Sequence, residues 1–90
     1  MNHKLALERA YRKIAKNIMT PTILAYHVIP NENKVVELST GTGMIREPIY
    51  GVSVFVFDDN YDITRNKESK FFGGSKLAAQ EYYNSLTFGK

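Results

Sequence analysis

Acidic and amide side chains stand at alternate positions in one stretch of the chain, as they do at the start of a calcium-binding loop. Asp58, Asn60 and Asp62 would be the first, third and fifth residues of such a loop. The sixth residue must be Gly and is Ile63, and the twelfth must be a bidentate Glu and is Ser69. We therefore interpret the stretch as a hairpin turn that binds no metal.

No other group of residues identifies a reaction or a cofactor. The chain has no cysteine, His3 stands in a terminus that is expected to fray, and His27 stands alone in an apolar stretch. The segment 39–43 is rich in Gly and hydroxyl groups, but it lacks the Gly-Lys-Ser/Thr ending of a phosphate-binding loop. We expect no catalytic residue, no metal and no cofactor, and hence a protein that is not an enzyme.

Basic side chains are concentrated at the start of the chain, where Glu8 is the only acid. The whole chain has a net charge of +3, and this excess is carried by the first segment alone. Helical spacing places Arg9, Lys13 and Lys16 on one face, which fits either a phosphate backbone or an acidic protein surface. The basic residues predicted to bind a partner are Arg9, Arg12, Lys13 and Lys16, together with Lys76 near the other end of the chain.

Apolar periodicity predicts two amphipathic helices that must position these side chains. In the first, Leu7, Tyr11, Ile14 and Ile18 share one face; Asn2 caps the helix, which ends at about residue 19, before Pro21. The second opens after Gly73-Gly74-Ser75 and spans 76–86. The basic residues of the first helix then point away from the core.

Strand patterns fill the segment between the helices. An apolar strand over 22–29, a turn at 30–33 and a short strand over 34–38 predict a first hairpin, and the loop 39–43 follows. The run 50–57 predicts a central strand, with a turn at 58–60 and a return strand over 61–65. We expect a single α+β domain over residues 1–90, in two layers: an antiparallel sheet of three to four strands and two helices, in the order α-β-β-β-β-α.

The central strand is apolar on both faces, which raises the question of what covers each. Val52, Val54 and Val56 share one face, where Val54 and Val56 are expected to be core, and Phe55 and Phe57 lie on the other. If both helices cover the valine face, the two phenylalanines form an exposed patch for a partner or for a homodimer. The alternative, which stays open, is that the loop before the strand and the tail through Phe88 cover them.

Two resemblances bear on function. The α-β-β-β-α core, with Gly73-Gly74-Ser75-Lys76 opening the last helix, resembles the double-stranded-RNA-binding domain and implies that Lys76 contacts phosphate. Leu77, Ala78 and Gln80 stand where that family places further basic residues. The stretch 50–86 is also similar in style to small accessory proteins of tailed phages, which are often inhibitors of host defence or host enzymes.

The leading hypothesis is a small binding protein that is not an enzyme. It is expected to act as a phage-encoded inhibitor that occludes a surface of a host protein or protein–nucleic-acid complex. The alternative is a nucleic-acid-binding module that uses the basic helix and aromatic side chains such as Phe55 and Phe57. No window approaches eighteen apolar residues, so no membrane contact and a cytoplasmic location, in the host cell if phage-encoded, are expected.

Overall fold

A computed structural model describes residues 2–17, 22–42, 48–64 and 68–88. The elements in chain order are the helix α1 (His3–Asn17), the strand β1 (Thr22–Ile29), a 3₁₀ turn (Pro30–Glu32), β2 (Lys34–Thr42), β3 (Pro48–Val56), β4 (Glu68–Phe71) and the helix α2 (Lys76–Thr87). The strands form one antiparallel sheet in the order β1-β2-β3-β4. The predicted α+β class and the order α-β-β-β-β-α are confirmed.

The two helices cover opposite faces of the sheet, which corrects the expectation of two layers with both helices on one face. Leu7 and Tyr11 of α1 pack with one set of strand residues: Val28, Val35, Phe55 and Phe57. Ala79 and Tyr83 of α2 pack with the alternate set: Val36, Leu38 and Val52. Because neighbouring strand residues point to opposite faces and both sets are apolar, each face needs its own helix.

The aromatic patch predicted on β3 is therefore absent from the surface. Phe55 and Phe57 are each 2 % exposed and lie under α1, so their assignment as partner-binding residues is wrong. The valine face is also revised, because Val52 is 1 % exposed whereas Val54 and Val56 are only partly buried. On the face covered by α2, the buried part of this strand lies nearer its middle than the sequence pattern indicated.

The strand β4, which pairs with β3 on the side away from β2, begins later in the chain than predicted. The ladder joins Gly51–Val54 to Glu68–Phe71, while the segment predicted as a return strand makes one isolated bridge, Phe57 to Ile63. The side chain of Asp58 shapes the turn by accepting hydrogen bonds from the amides of Asn60 and Asp62. After the turn, the Thr64 amide donates to the Val56 carbonyl at 2.9 Å, but no continuous ladder forms there. Residue 65 of the predicted strand lies outside the described residues.

The second strand is longer than predicted, since Ser39 to Thr42 continue it instead of forming a loop. These residues pair along β3, with Ser39 opposite Gly51, Thr40 opposite Tyr50 and Thr42 opposite Pro48. Pairing satisfies their backbone groups, so tertiary context outweighs the low strand preference of Gly and Ser. Gly43 lies outside the described residues.

Both helices begin as the sequence indicates. Asn2 Oδ1 accepts a hydrogen bond from the Lys4 amide at 2.9 Å, and Ser75 Oγ accepts one from the Ala78 amide at 3.2 Å. Residues 18 and 19, where α1 was predicted to end, and Pro21 lie outside the described residues. Neither described helix is long and apolar enough to cross a bilayer.

A candidate binding groove beside the first helix

An open groove of about 610 Å³ runs between α1 and the turn that follows β3. We call it the α1 groove. Its volume lies within the range of small-molecule sites, although the groove is open to solvent along its length. Its lining residues are Ala6, Arg9, Ala10, Lys13 and Ile14 from α1, and Asn60, Tyr61, Asp62 and Ile63 from the turn.

The helical wall of the groove is basic because α1 is anchored through its other face. Leu7 and Tyr11 are 0 % and 1 % exposed against the sheet. This places Arg9 and Lys13, one helical turn apart, on the exposed side that borders the groove. Two of the predicted basic residues are thus brought together, with Ala10 and Ile14 as the apolar surface between them and the core.

The opposite wall is a turn whose shape is fixed by its own backbone. The Asp58 amide donates to the Asp62 carbonyl at 2.9 Å, and the Tyr61 amide donates to the Asp58 carbonyl at 3.0 Å. Tyr61 takes a left-handed conformation, with φ of 63°, which is unusual for a large side chain and shows how closely the turn is constrained. The exposed Asp62 borders the groove, so this wall carries negative charge.

His3 ties the two walls together, which corrects the expectation that it lies in a frayed terminus. Its Nε2 lies 2.8 Å from Asn33 Oδ1, and its Nδ1 lies 3.0 Å from the Tyr61 hydroxyl. Since Asn33 Oδ1 can only accept, Nε2 donates, and in the neutral ring Nδ1 accepts the proton of Tyr61. His3 therefore joins the start of α1 to the turn and to the β1–β2 connection, and sets the spacing of the walls at this end.

The neighbouring side of α1 is occupied by internal contacts. The Tyr26 hydroxyl donates to Glu8 Oε1 at 2.6 Å and accepts from Arg12 Nη2 at 2.9 Å. The hydrogen bond to Tyr26, and then the nearby charge of Glu8, raise the pKa of Arg12. Arg12, one of the predicted partner-binding residues, thus lies apart from the α1 groove and helps to hold the helix on β1.

A buried hydrogen bond fixes α1 to the middle of the sheet. The Tyr11 hydroxyl donates to Glu37 Oε2 at 2.6 Å, and both residues are buried. Burial, reinforced by the hydrogen bond to Glu37, raises the pKa of Tyr11. The sequence showed Glu37 as a polar residue in a short strand, but nothing in it indicated that this carboxylate would meet the helix.

The remaining candidates do not join the groove. Lys76 is exposed at the start of α2, on the other side of the sheet from α1. The side chain of Lys16 lies outside the described residues. Sequence reasoning missed Tyr61, Asp62 and Ile63 as the second wall, because these residues were expected to continue into a strand.

Comparisons with known proteins identify no relative of this chain. No protein-family model, no curated protein and no solved structure matches the chain.

Proposed function

We propose that this domain is a non-enzymatic binding protein that holds a segment of a partner protein in the α1 groove. The observation that carries the proposal is the opposition of charge across an apolar floor. Arg9 and Lys13 stand on one wall and Asp62 on the other, and Ala10 and Ile63 add apolar surface to the lining. A groove of this kind recognises the shape of the bound segment and the order of acidic and basic groups along it.

The complementary segment is an apolar side chain flanked by charges of opposite sign. The apolar side chain would cover Ala10, Ile14 and Ile63, of which Ile63 is otherwise exposed. An acidic group on one side of it would face Arg9 and Lys13, and a basic group on the other would face Asp62. The binding free energy would come mainly from the apolar contact, and the charges would set orientation and association rate.

The same charge order disfavours nucleic acid as the main partner. A phosphate backbone is uniformly negative, and across the groove from Arg9 and Lys13 it would meet Asp62, with Asp59 also exposed on that turn. The two rings that the sequence suggested for base stacking, Phe55 and Phe57, are buried. We therefore expect random duplex RNA or DNA to bind at physiological salt no more tightly than about 10 µM.

A domain that acts in this way blocks the surface from which the bound segment comes. Inhibition by occlusion, including inhibition of a host defence or host enzyme by a phage-encoded protein, is the biological role that we propose for it. The rigid turn and its link to His3 support this role, because a preformed groove loses less entropy on binding.

Selection from a random peptide library on the immobilised domain tests the proposal. We expect enriched peptides to carry an apolar residue between an acidic and a basic one. Arg9→Glu with Lys13→Glu should weaken their binding by about tenfold or more. The matched control, Lys4→Glu with Lys76→Glu, changes the net charge equally at exposed positions outside the groove and should leave the affinity within about threefold.

Two results would overturn the proposal. One is peptide binding that falls equally in the groove variant and in the matched control, which would show that only net charge matters. The other is submicromolar binding of random duplex RNA or DNA by the wild-type protein that disappears in the groove variant, which would make the protein a nucleic-acid-binding module.

A further inference from the structure

The two edges of the sheet are built very differently. At one edge, β4 has four residues, and Glu68 and Lys70 are two of them. Short length and charged side chains are the usual means by which an edge strand is kept from pairing with another chain. At the other edge, β1 has eight residues, none of them charged and none of them proline. The protection found at β4 is thus missing at β1.

The outer edge of β1 has no strand beside it among the described residues. The sheet order places β1 next to β2 alone. The register is broken between Ile23 and Ala25, where Leu24 is the extra residue of a bulge, and it runs without interruption from Ala25 to Ile29. The stretch with a regular outer edge is therefore Ala25–Ile29, and among the described residues no strand pairs with that edge.

We propose that this edge pairs with the same edge of a second copy of the chain. The two β1 strands would run antiparallel about a two-fold axis and join two four-stranded sheets into one of eight strands. Such a contact is isologous, because the same residues contribute from each copy. It is separate from the α1 groove, which lies beside the turn after β3, and it goes beyond the proposed binding function.

The absence of charged side chains along β1, and not the net charge, favours a second copy as the occupant. Each chain has a net charge of +3, so most surfaces of two copies repel each other. Along β1, any antiparallel register within Ala25–Ile29 sets an uncharged side chain opposite an uncharged one. A strand that carries lysine or glutamate would bring charges to an edge that has no group to pair with them.

An exposed aromatic ring lies beside the same edge. Phe88 follows α2 and is 66 % exposed, and its ring lies 5.0 Å from that of His27, edge to face. His27 is the middle residue of the stretch Ala25–Ile29. A two-fold axis near it would bring the two Phe88 rings to one side of the joint and cover part of their surface. The contact remains small, so we expect a dimer that forms in the micromolar range and dissociates on dilution.

Sedimentation equilibrium combined with amide hydrogen exchange tests this proposal on the full chain. Between about 1 µM and about 500 µM, the mass should rise from that of the 10.3 kDa chain to that of two chains. Over the same range, amides within Ala25–Ile29 should become protected, whereas those of β4 should not change. His27→Lys should keep the protein monomeric, because two ammonium groups would then meet at the joint.

The matched control is His27→Thr, which loses the same contact with Phe88 but adds no charge. It should dimerise within about threefold of the wild-type affinity, and both variants should show the circular dichroism of the folded wild type. The proposal is wrong if the wild type stays monomeric up to about 500 µM. It is also wrong if a dimer forms whose protected amides lie elsewhere, or if His27→Lys dimerises as well as His27→Thr.

Discussion

Single side chains decide where the first helix sits on the sheet. Leu7 and Tyr11 were predicted from helical spacing, and both are buried. Their buried polar partner, Glu37, was not predicted, because a strand pattern does not reveal which face a helix will cover. The acidic and basic residues at the α1 groove could likewise be read from the sequence. That they face each other depends on a turn, part of which was expected to be a strand.

Removing the Tyr11 hydroxyl should destabilise the protein by about 1–3 kcal/mol, because Tyr11→Phe leaves the buried Glu37 carboxylate without its donor. Glu37→Leu added to Tyr11→Phe should restore part of this free energy, since neither polar group then remains. Urea unfolding of the two variants and the wild type measures the effect. A Tyr11→Phe protein as stable as the wild type would show that the hydroxyl is not needed.

The raised pKa of Tyr11 makes this contribution depend on pH. Below the ordinary pKa of 10.0, Tyr11 is protonated in both the folded and the unfolded chain, and the stabilisation is fully present. Above that value the unfolded chain loses the proton first, so the folded state loses stability as pH rises, by up to about 1.4 kcal/mol per pH unit. The difference in stability between wild type and Tyr11→Phe should therefore be constant to about pH 9 and shrink above pH 10. A difference that stays constant to pH 11 would contradict this explanation.

Among the secondary-structure elements, the sequence located α1, α2 and the first hairpin, because their apolar periods are regular and their ends are marked by Asn2, Pro30 and Ser75. It misplaced β4, because the turn after β3 is held by side-chain and backbone contacts within Asp58–Asp62 that no periodicity encodes. It also ended β2 early, because pairing with β3 outweighs the weak strand preference of Ser39 and Gly41.

Alanine substitutions along β3 test where the core of that strand lies. Val52→Ala should cost about 2 kcal/mol, since this side chain is 1 % exposed beneath α2. Val54→Ala, at a partly buried position on the same face, should cost less than about 1 kcal/mol. Thermal or urea unfolding gives both values. Equal costs, or a larger cost at Val54, would show that the strand is placed wrongly.

Calcium tests the turn itself. One carboxylate oxygen of Asp58 already accepts two backbone amides, so we expect neither millimolar calcium nor EDTA to move the melting temperature. A matched sample with the same ionic strength of sodium chloride serves as the control. A shift of several degrees with calcium alone would show that the turn binds the ion.

At the scale of the whole molecule, the main difference from expectation is the third layer. Both faces of β3 are apolar in sequence, and that pattern allows either a sheet covered on both sides or one face left for a partner. The structure places α1 over Phe55 and Phe57, and α2 over Val52. The binding surface that we propose is the groove beside α1, where two of the basic residues noted in the sequence lie opposite the acidic turn.

Exchange of charge between the groove and its ligand tests the central claim most directly. The affinity of a selected peptide is measured for the wild type and for Arg9→Glu with Lys13→Glu, each with the original peptide and with one whose acidic residue is replaced by lysine. We predict that the groove variant binds the original peptide about tenfold more weakly than the wild type does. The lysine-containing peptide should regain most of that affinity with the groove variant and should gain none with the wild type. Affinities that change by the same factor for both peptides would contradict the claim that these two side chains face the bound segment.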